Sequence, residues 1–387
     1  MKTESYQYIL TKWRRRVRKL KRRKKESTSD KARDVVKSSM KKRRHILNPR
    51  VEFLSSGCIV LNLALSGFGL KGGWGRGRIH NIVGDGSSGK TLLALELCFY
   101  VFKNIKKIVS KIYPKVKKVT ICYDNAEGVM DFPIEKMYGE DFYDTVDWTR
   151  SLHFEAMCRR FLKKAFALKK GEALIYVIDS WDSFQSSSSK KAFLKSVQDD
   201  TDLKGDYDLV VQKYASRKFF PTFCDALDKN KLDATLVIIS QVRDNIGVTF
   251  GKKQRRSGGK ALNFYSHQVV WLREVERMAK TKLKRKRVYG IRSLAKVERS
   301  KVSKPFREAD FRILFDYGID DINAQIDFLW GNGKIKFNKK GFKTRESFVK
   351  YIEGNNLEEE LANHTERVWT KVERLFEKEV ERRKPRH

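Results

Sequence analysis

What the chain lacks narrows its role before any motif is read. No apolar run in its 387 residues approaches the ~20 residues needed for a bilayer-spanning helix, so a membrane is not an expected partner. The N-terminus starts basic but no apolar stretch follows, a pattern unlike a secretory signal. The cysteines, Cys58, Cys98, Cys122, Cys158 and Cys224, are odd in number and none sits at C-x-x-C spacing. That argues against a disulfide framework or a zinc site and fits a reducing compartment. No internal repeat stands out. Acidic residues are the scarce charge: 47 Asp and Glu face 84 Lys and Arg, a formal net charge of +37. A field of that sign favours phosphate-rich partners, nucleic acid ahead of a membrane surface. Hydrophobic residues still make up 40%, enough for a sizeable core.

The basic excess is uneven. Residues 1–50 hold 20 Lys or Arg against 4 Asp or Glu, a net of +16 that leaves +21 on the rest of the chain. Within them "KWRRRVRKLKRRKK", Lys12 to Lys25, spaces Trp13, Val17 and Leu20 as a helix does, which predicts a basic helical arm. Two readings stand for it, a DNA-binding arm and a solvated tail.

From residue 51 onward, short apolar runs alternate with helical stretches. "RIHNIV" (78–83), "KVTICY" (118–123), "ALIYVID" (173–179) and "TLVIIS" (235–240) have strand length and no polar face. Between them lie the helical "TLLALELCFYVF" (91–102), "FEAMCRRFLKKAFAL" (154–168) and "SRKFFPTFCDALDKN" (216–230). Buried strands alternating with helices predict an α/β fold with a mostly parallel central sheet. "HQVVWLREV" and "YGIRSLAKVERS" read as further strands joined by the very basic "AKTKLKRKR". The expected organisation is a basic N-terminal arm over 1–50, an α/β core over 51–328, and a small α+β C-terminal domain with a basic tail over 329–387.

"GDGSSGKT" fits G-x-x-x-x-G-K-[ST] between a strand and a helix. The run is Gly84, Asp85, Gly86, Ser87, Ser88, Gly89, Lys90 and Thr91. Its glycines let backbone N–H groups turn inward around phosphates, and the following helix N-terminus favours negative charge. Lys90 is expected to reach the β- and γ-phosphates of a nucleotide, and Thr91 to offer its hydroxyl to Mg²⁺. Asp179, ending "ALIYVID", is the expected second metal-side group. "CYDNAEG" sets Asp124 and Glu127 beyond another strand. There Glu127 either orients an attacking water or is a turn carboxylate.

"RDNIGVTFGKKQRRSGGKALNFY", Arg243 to Tyr265, follows a buried strand with four glycines and six basic residues. Such a stretch cannot pack a core. It is a disordered surface loop or a loop that becomes ordered on a polyanion.

Taken in order, these motifs resemble the RecA recombinase family, over about residues 51–350. "LSSGCIVLNLAL" through "GRIHNIVGDGSSGKTLLALEL" is similar to the family's entry and P-loop. "YDNAEGVMD" resembles the segment with its catalytic glutamate, "YVIDS" the metal-side aspartate, and "KPFREADFRILFDYGID" the strands that close the core. "ISQVRDNIGVTFG" with "SGGKALNFY" resembles the γ-phosphate-sensing glutamine and second DNA-binding loop. The resemblance thus implies a RecA-like P-loop ATPase core that uses ATP and Mg²⁺. Glu127 would be catalytic, with Gln241 as the γ-phosphate sensor. The loop would bind DNA through Arg243, Ile246, Gly247, Val248, Lys252, Lys253, Arg255, Arg256, Gly258, Gly259 and Lys260. Phe264 matches a subunit-interface position. Arg299 and Lys301 match two lysines that reach a neighbouring subunit's nucleotide, one of them replaced here by arginine. A first DNA loop is expected within 196–213.

Three departures accompany the resemblance. The family's adenine-stacking aromatic falls at Ile134, leaving Asp131 for the base. The N-terminal arm is longer and more basic, and the tail "EVERRKPRH" ends basic rather than acidic. The implied function is an ATP-dependent homologous recombinase, a DNA-dependent ATPase. It would form a homo-oligomeric filament on single-stranded DNA, then pair that strand with homologous double-stranded DNA and exchange strands. A hexameric RecA-core helicase and an accessory RecA paralogue are the alternatives. The expected location is the cytoplasm with the nucleoid, or a host's cytoplasm if the chain is phage-encoded.

Overall fold

The computed structural model describes residues 51–128, 130, 133–199, 208–230, 232–244, 254–256, 259–331, 336–338 and 340–381. Parallel strands make the frame: β1 (Ile79–Gly84), β2 (Lys118–Asn125), β3 (Val146–Thr149), β4 (Glu172–Asp179), β5 (Ala234–Asp244) and β6 (Gln268–Lys282). They pair in the order β3-β2-β4-β5-β1-β6. Three antiparallel strands extend the β6 edge: β7 (Arg285–Ser300), β8 (Glu308–Leu314) and β9 (Gly318–Asp320). The mostly parallel α/β sheet is the one the apolar runs predict.

Those runs lack a polar face because both faces of the sheet are covered. Along β4, Ala173, Ile175 and Val177 enter one core, while Leu174, Tyr176 and Ile178 enter the other. In β5, Val237 and Ile239 alternate with Leu236 and Ile238 in the same way. Helices α1 (Ile59–Ser66) and α2 (Lys90–Asn104) cover the first face. Helices α3 (Phe154–Phe166) and α5 (Phe220–Asn230) cover the second, on either side in sequence of α4 (Ser187–Gln198). In α3 the buried Phe154, Met157, Cys158, Phe161 and Ala165 recur at helical spacing and form one apolar stripe. All five cysteines are free, and four of them are buried.

The last strand of the parallel set is preceded by α6 (Gly259–Tyr265). After β9 come α7 (Asp321–Gly331), α8 (Arg345–Gly354) and α9 (Glu358–Glu381). Ile326, Leu329, Phe337, Phe348, Ile352 and Leu361 form a third apolar cluster. Helix α7 runs through residue 328. It sends Ala324 into the main core and Ile326 and Leu329 into the third cluster. Helix α9 also joins the main core, through Ala362 and Trp369. Arg307 pairs with Glu373, and Glu366 accepts the Gly69 N–H at 3.0 Å. No described helix is long and apolar enough to cross a membrane.

One difference from the sequence reading concerns "AKTKLKRKR". Rather than a loop, β6 and β7 run straight through it and turn only at Leu283 and Lys284. Charge does not prevent strand pairing where both faces lie in water, so a basic stretch is no guide to a loop.

Two histidines brace the start of β1. His80 Nε2 lies 2.8 Å from the Gly75 carbonyl, and His267 Nδ1 accepts the Ile79 N–H at 3.2 Å. Burial lowers each from 6.5 to about 3, with Arg78 adding to both. An unfolded chain therefore binds protons at these sites below about pH 6.5 that the folded chain refuses. Stability is fully present above that pH and falls as the pH drops toward 3. Each histidine contributes a slope of up to ~1.4 kcal/mol per pH unit. Melting temperatures between pH 7 and 5 check this. The drop should be shallower in His80→Gln, whose amide still donates to Gly75.

Candidate nucleotide-binding site

The site is built at the carboxyl edge of the parallel strands. β1 ends at Gly84, and the loop from Asp85 to Gly89 leads straight into α2. Ser87 and Gly89 have φ of 60° and 94°, which folds the loop back on itself. A Cβ on Gly84 would lie 2.5 Å from Ser88 Oγ and 2.6 Å from the Leu272 carbonyl, so the position tolerates only glycine. Gly86 has nothing within 4 Å of a built Cβ and faces open space. No side chain caps α2, which leaves its first-turn N–H groups to an anion in the loop.

Lys90 Nζ folds into the loop and donates to the Asp85 carbonyl at 2.5 Å. Thr91 Oγ1 donates to Asp179 Oδ2 at 2.8 Å, and the Tyr123 hydroxyl donates to the same oxygen at 2.6 Å. Burial lowers the Lys90 pKa, and Asp179, Glu127, Asp85 and Asp182 partly restore it. Burial raises Asp179, opposed by the hydrogen bonds from Tyr123 and Thr91 and by Lys90. One cation thus stands among four carboxylates in a partly desolvated pocket.

Glu127 is held from two sides. Ser180 Oγ donates to its Oε1 at 2.7 Å, and Gln241 Nε2 donates to the same oxygen at 3.0 Å. Gln241 is itself fixed by the β5 register, opposite Gly84, and its N–H reaches Asp182 Oδ2 at 2.7 Å. The structure therefore brings together Gly84, Asp85, Ser88, Lys90, Thr91, Glu127, Asp179 and Gln241. Asp124 turns away: fully buried, it accepts from Ser151 N, Ser151 Oγ and the Tyr176 hydroxyl at 2.7, 2.6 and 2.7 Å. It braces the β2–β3 edge.

β5 continues past Gln241 as a short ribbon. Val242, Arg243 and Asp244 pair antiparallel with Arg256, Arg255 and Gln254. Gly259 and Lys260 open α6. Ile246, Gly247, Val248, Lys252, Lys253 and Gly258 lie outside the described residues, as does Asp131. Ile134 is 4% exposed and packed in the main core, so it offers no face to a base. The described ends of the expected first DNA loop are helical, in α4 and in Asp208–Tyr214.

Arg299 and Lys301 are not brought to Lys90 of the same chain. Ser300 pairs opposite Gln268, and Gln268 opposite His80, at the amino end of β1. Four residues of strand, ~13 Å, separate His80 from Gly84. Arg299 Nη1 donates to the Asn263 carbonyl at 2.6 Å and Lys301 Nζ to the Phe264 carbonyl at 2.5 Å. Lys301 also lies over the Phe264 ring at 5.3 Å, and that ring is 62% exposed. Burial and the neighbouring Arg299 lower the Lys301 pKa.

Sequence reasoning missed Tyr123, Ser180 and Asp182. Each contacts a residue singled out above, but across a strand pairing or a turn that no local motif encodes. The only available signal was polarity at the carboxyl ends of strands, where an unpaired hydroxyl or carboxyl has to find a partner.

The RecA N-terminal domain family matches residues 213–320. The chain is 29% identical to Protein RecA of Rippkaea orientalis over 324 residues, 79% of this chain and 79% of that one. It is 28% identical to Protein RecA of Clostridioides difficile over 331 residues, 83% and 84% of the two chains. It is 30% identical to Protein RecA of Staphylococcus carnosus over 278 residues, 72% and 68% of the two chains. Together with the P-loop, the Thr91–Asp179 pair and the mostly parallel sheet that carries them, this similarity establishes that the chain belongs to the RecA family.

Proposed function

We propose that the protein is an ATP-dependent homologous recombinase. It assembles as a filament of copies on single-stranded DNA, then pairs that strand with a homologous duplex and exchanges strands. The observation that carries this reading is the hydrogen bond from Gln241 Nε2 to Glu127 Oε1, at 3.0 Å. It joins a candidate catalytic carboxylate to the strand that continues into the glycine-rich, basic segment, so nucleotide state and DNA contact share one element.

The residues present fit ATP with Mg²⁺. Ser87 and Gly89 sit in left-handed conformations that turn loop N–H groups inward. Among the described residues no group of three or more His, Cys, Asp or Glu can hold a metal. The Thr91 hydroxyl beside Asp179 suits an ion held jointly by phosphates, waters and that hydroxyl, with Asp179 behind it. When bound, Mg²⁺–ATP supplies the phosphoryl group and neutralises charge on its oxygens. Lys90 binds the phosphates from inside the loop. Glu127 orients the attacking water and takes up its proton, while Ser180 and Gln241 keep its Oε1 in place. Arg299 and Lys301, at the far edge of the sheet, are offered to the site of an adjacent copy. There a guanidinium and an ammonium stabilise the transferring phosphoryl group. The basic segment neutralises DNA phosphates, and its counterion release makes binding salt-dependent.

The deciding experiment is D-loop formation with ATP, Mg²⁺, a single-stranded oligonucleotide and a supercoiled plasmid. Joint molecules are expected with the homologous plasmid, and none with a heterologous plasmid or with Lys90→Ala. DNA-stimulated ATP hydrolysis without joint molecules would shift the reading to a motor or accessory protein.

Two substitutions separate the roles. Glu127→Gln is expected to lower ATP turnover by roughly 10²-fold or more while nucleotide binding persists; turnover and nucleotide affinity are measured side by side. Gln241→Ala is expected to lower basal hydrolysis and to lose its stimulation by single-stranded DNA while nucleotide binding persists, read from turnover with and without oligonucleotide beside nucleotide affinity.

A further inference from the structure

β5 outlasts the strand beside it. β4 and β5 pair only as far as Ile178, opposite Ile238, and β4 ends at Asp179 while β5 runs on to Asp244. Leu174 N–H donates to the Asp233 carbonyl at 2.8 Å, and Leu236 N–H donates to the Arg78 carbonyl at 3.0 Å. Residues of a parallel strand turn their main-chain groups to the two neighbours in alternation. Along β5 the odd-numbered residues therefore face β4 and the even-numbered ones β1. Gln241 is odd, so its N–H points to the side on which β4 has stopped. An N–H left there has to find water or a side chain.

Asp182 stands in for the missing strand. It lies in the short helical turn Trp181–Ser183 that follows β4, and its Oδ2 accepts the Gln241 N–H at 2.7 Å. An ionised acceptor makes this a stronger bond than a ladder carbonyl would. The turn is anchored from behind. Trp181 is 3% exposed and packs between the first residues of α3 and α5, edge-on to Phe154 at 5.0 Å and stacked on Phe220 at 5.7 Å and 16°. A close-packed indole of that size holds the next residue in place. Asp182 also acts on Lys90 through its charge, but as the smallest of the four carboxylate influences there.

Gln241 is thereby tied to two carboxylates by different atoms, its N–H to Asp182 and its Nε2 to Glu127 Oε1 at 3.0 Å. It is also the last residue of β5 inside the sheet. Gly84, its partner, ends β1, and from Val242 onward β5 pairs only within the short ribbon with Gln254–Arg256. A side chain that trades Glu127 for a phosphate oxygen pulls on its own main chain. A strand end free to fray absorbs that pull, and a clamped one passes it on. We propose that Asp182 is a positioning residue, whose carboxylate clamps the Gln241 main chain so that a change at the Gln241 side chain reaches the ribbon. It acts through Gln241 and not on the nucleotide. This rests on the proposed coupling of nucleotide state to DNA contact through Gln241, and names the residue that holds the coupling element in place.

The test is ATP turnover of the full chain with and without a single-stranded oligonucleotide. Asp182→Ala should lower the DNA-stimulated kcat roughly tenfold while KM for ATP stays within about twofold. Asp182→Asn keeps an oxygen that accepts the N–H and drops the charge, so stimulation should stay within about threefold of wild type. Asp182→Glu keeps the charge but carries the acceptor one methylene further out. It should lose stimulation as the alanine variant does, which keeps the proposal open to test if that variant does not fold. Asp182→Ala added to Gln241→Ala should cost less than about twofold beyond Gln241→Ala alone, since nothing is left to position. Amide hydrogen exchange at Gln241 should quicken in Asp182→Ala and stay near wild type in Asp182→Asn. Full stimulation in both Asp182→Ala and Asp182→Glu would overturn the proposal. So would multiplicative losses in the double variant. A loss in Asp182→Asn as large as in Asp182→Ala would overturn it in favour of charge acting on Lys90. A wild-type chain that single-stranded DNA does not stimulate, or a Gln241→Ala variant stimulated in full, would instead overturn the coupling on which the proposal rests.

Discussion

The parallel register of the central strands is the constraint on which the site depends. Gly84 lies opposite Gln241, and Asn125 opposite Asp179, so four neighbouring strands bring these residues to the same carboxyl edge. A parallel sheet covered on both faces can place polar groups only at its ends, because its length is committed to two apolar cores. The loop after β1, the aspartate ending β4 and the glutamine within β5 meet for that reason. A slip of one residue would turn each side chain to the opposite face and separate them.

Burial then sets the chemistry. Asp179 is pushed up by desolvation and pulled back by the hydroxyls of Thr91 and Tyr123, which share its Oδ2. Lys90 is pushed down by the same desolvation and held by the carboxylates around it. Two partly buried groups of opposite sign thus support each other.

The sheet also divides the functional residues between its two edges. Lys90, Glu127 and Gln241 stand at the carboxyl edge, and Arg299 and Lys301 at the amino edge, packed against the end of α6. Within one chain the two sets stay apart. The same carboxyl edge launches the short ribbon after Gln241 and the long ribbon of β6 and β7. The strand ends beside the loop thus lead directly into basic segments.

The sequence by itself determined the α/β class and the P-loop motif with its flanking elements, and it marked Asp179 as a strand-end carboxylate, while the role of Glu127 came from the family resemblance. Each is encoded over a few neighbouring residues, in an apolar run of strand length or in glycine and lysine at fixed spacing. The family resemblance added Gln241, Arg299 and Lys301. Only the tertiary structure decided that Asp124 braces β2 against β3 while Glu127 faces Gln241, two residues of one short motif sent to different tasks by strand alternation and the turn after it. Only the structure joined Tyr123 to Asp179 and Ser180 to Glu127, because those contacts cross strand pairings and a turn. Ile134, which the resemblance matched to a base-stacking aromatic, proved to be 4% exposed and part of the main core. The basic stretch between β6 and β7 read as a linker by composition. It is a paired ribbon because backbone hydrogen bonding does not depend on which side chains face the water.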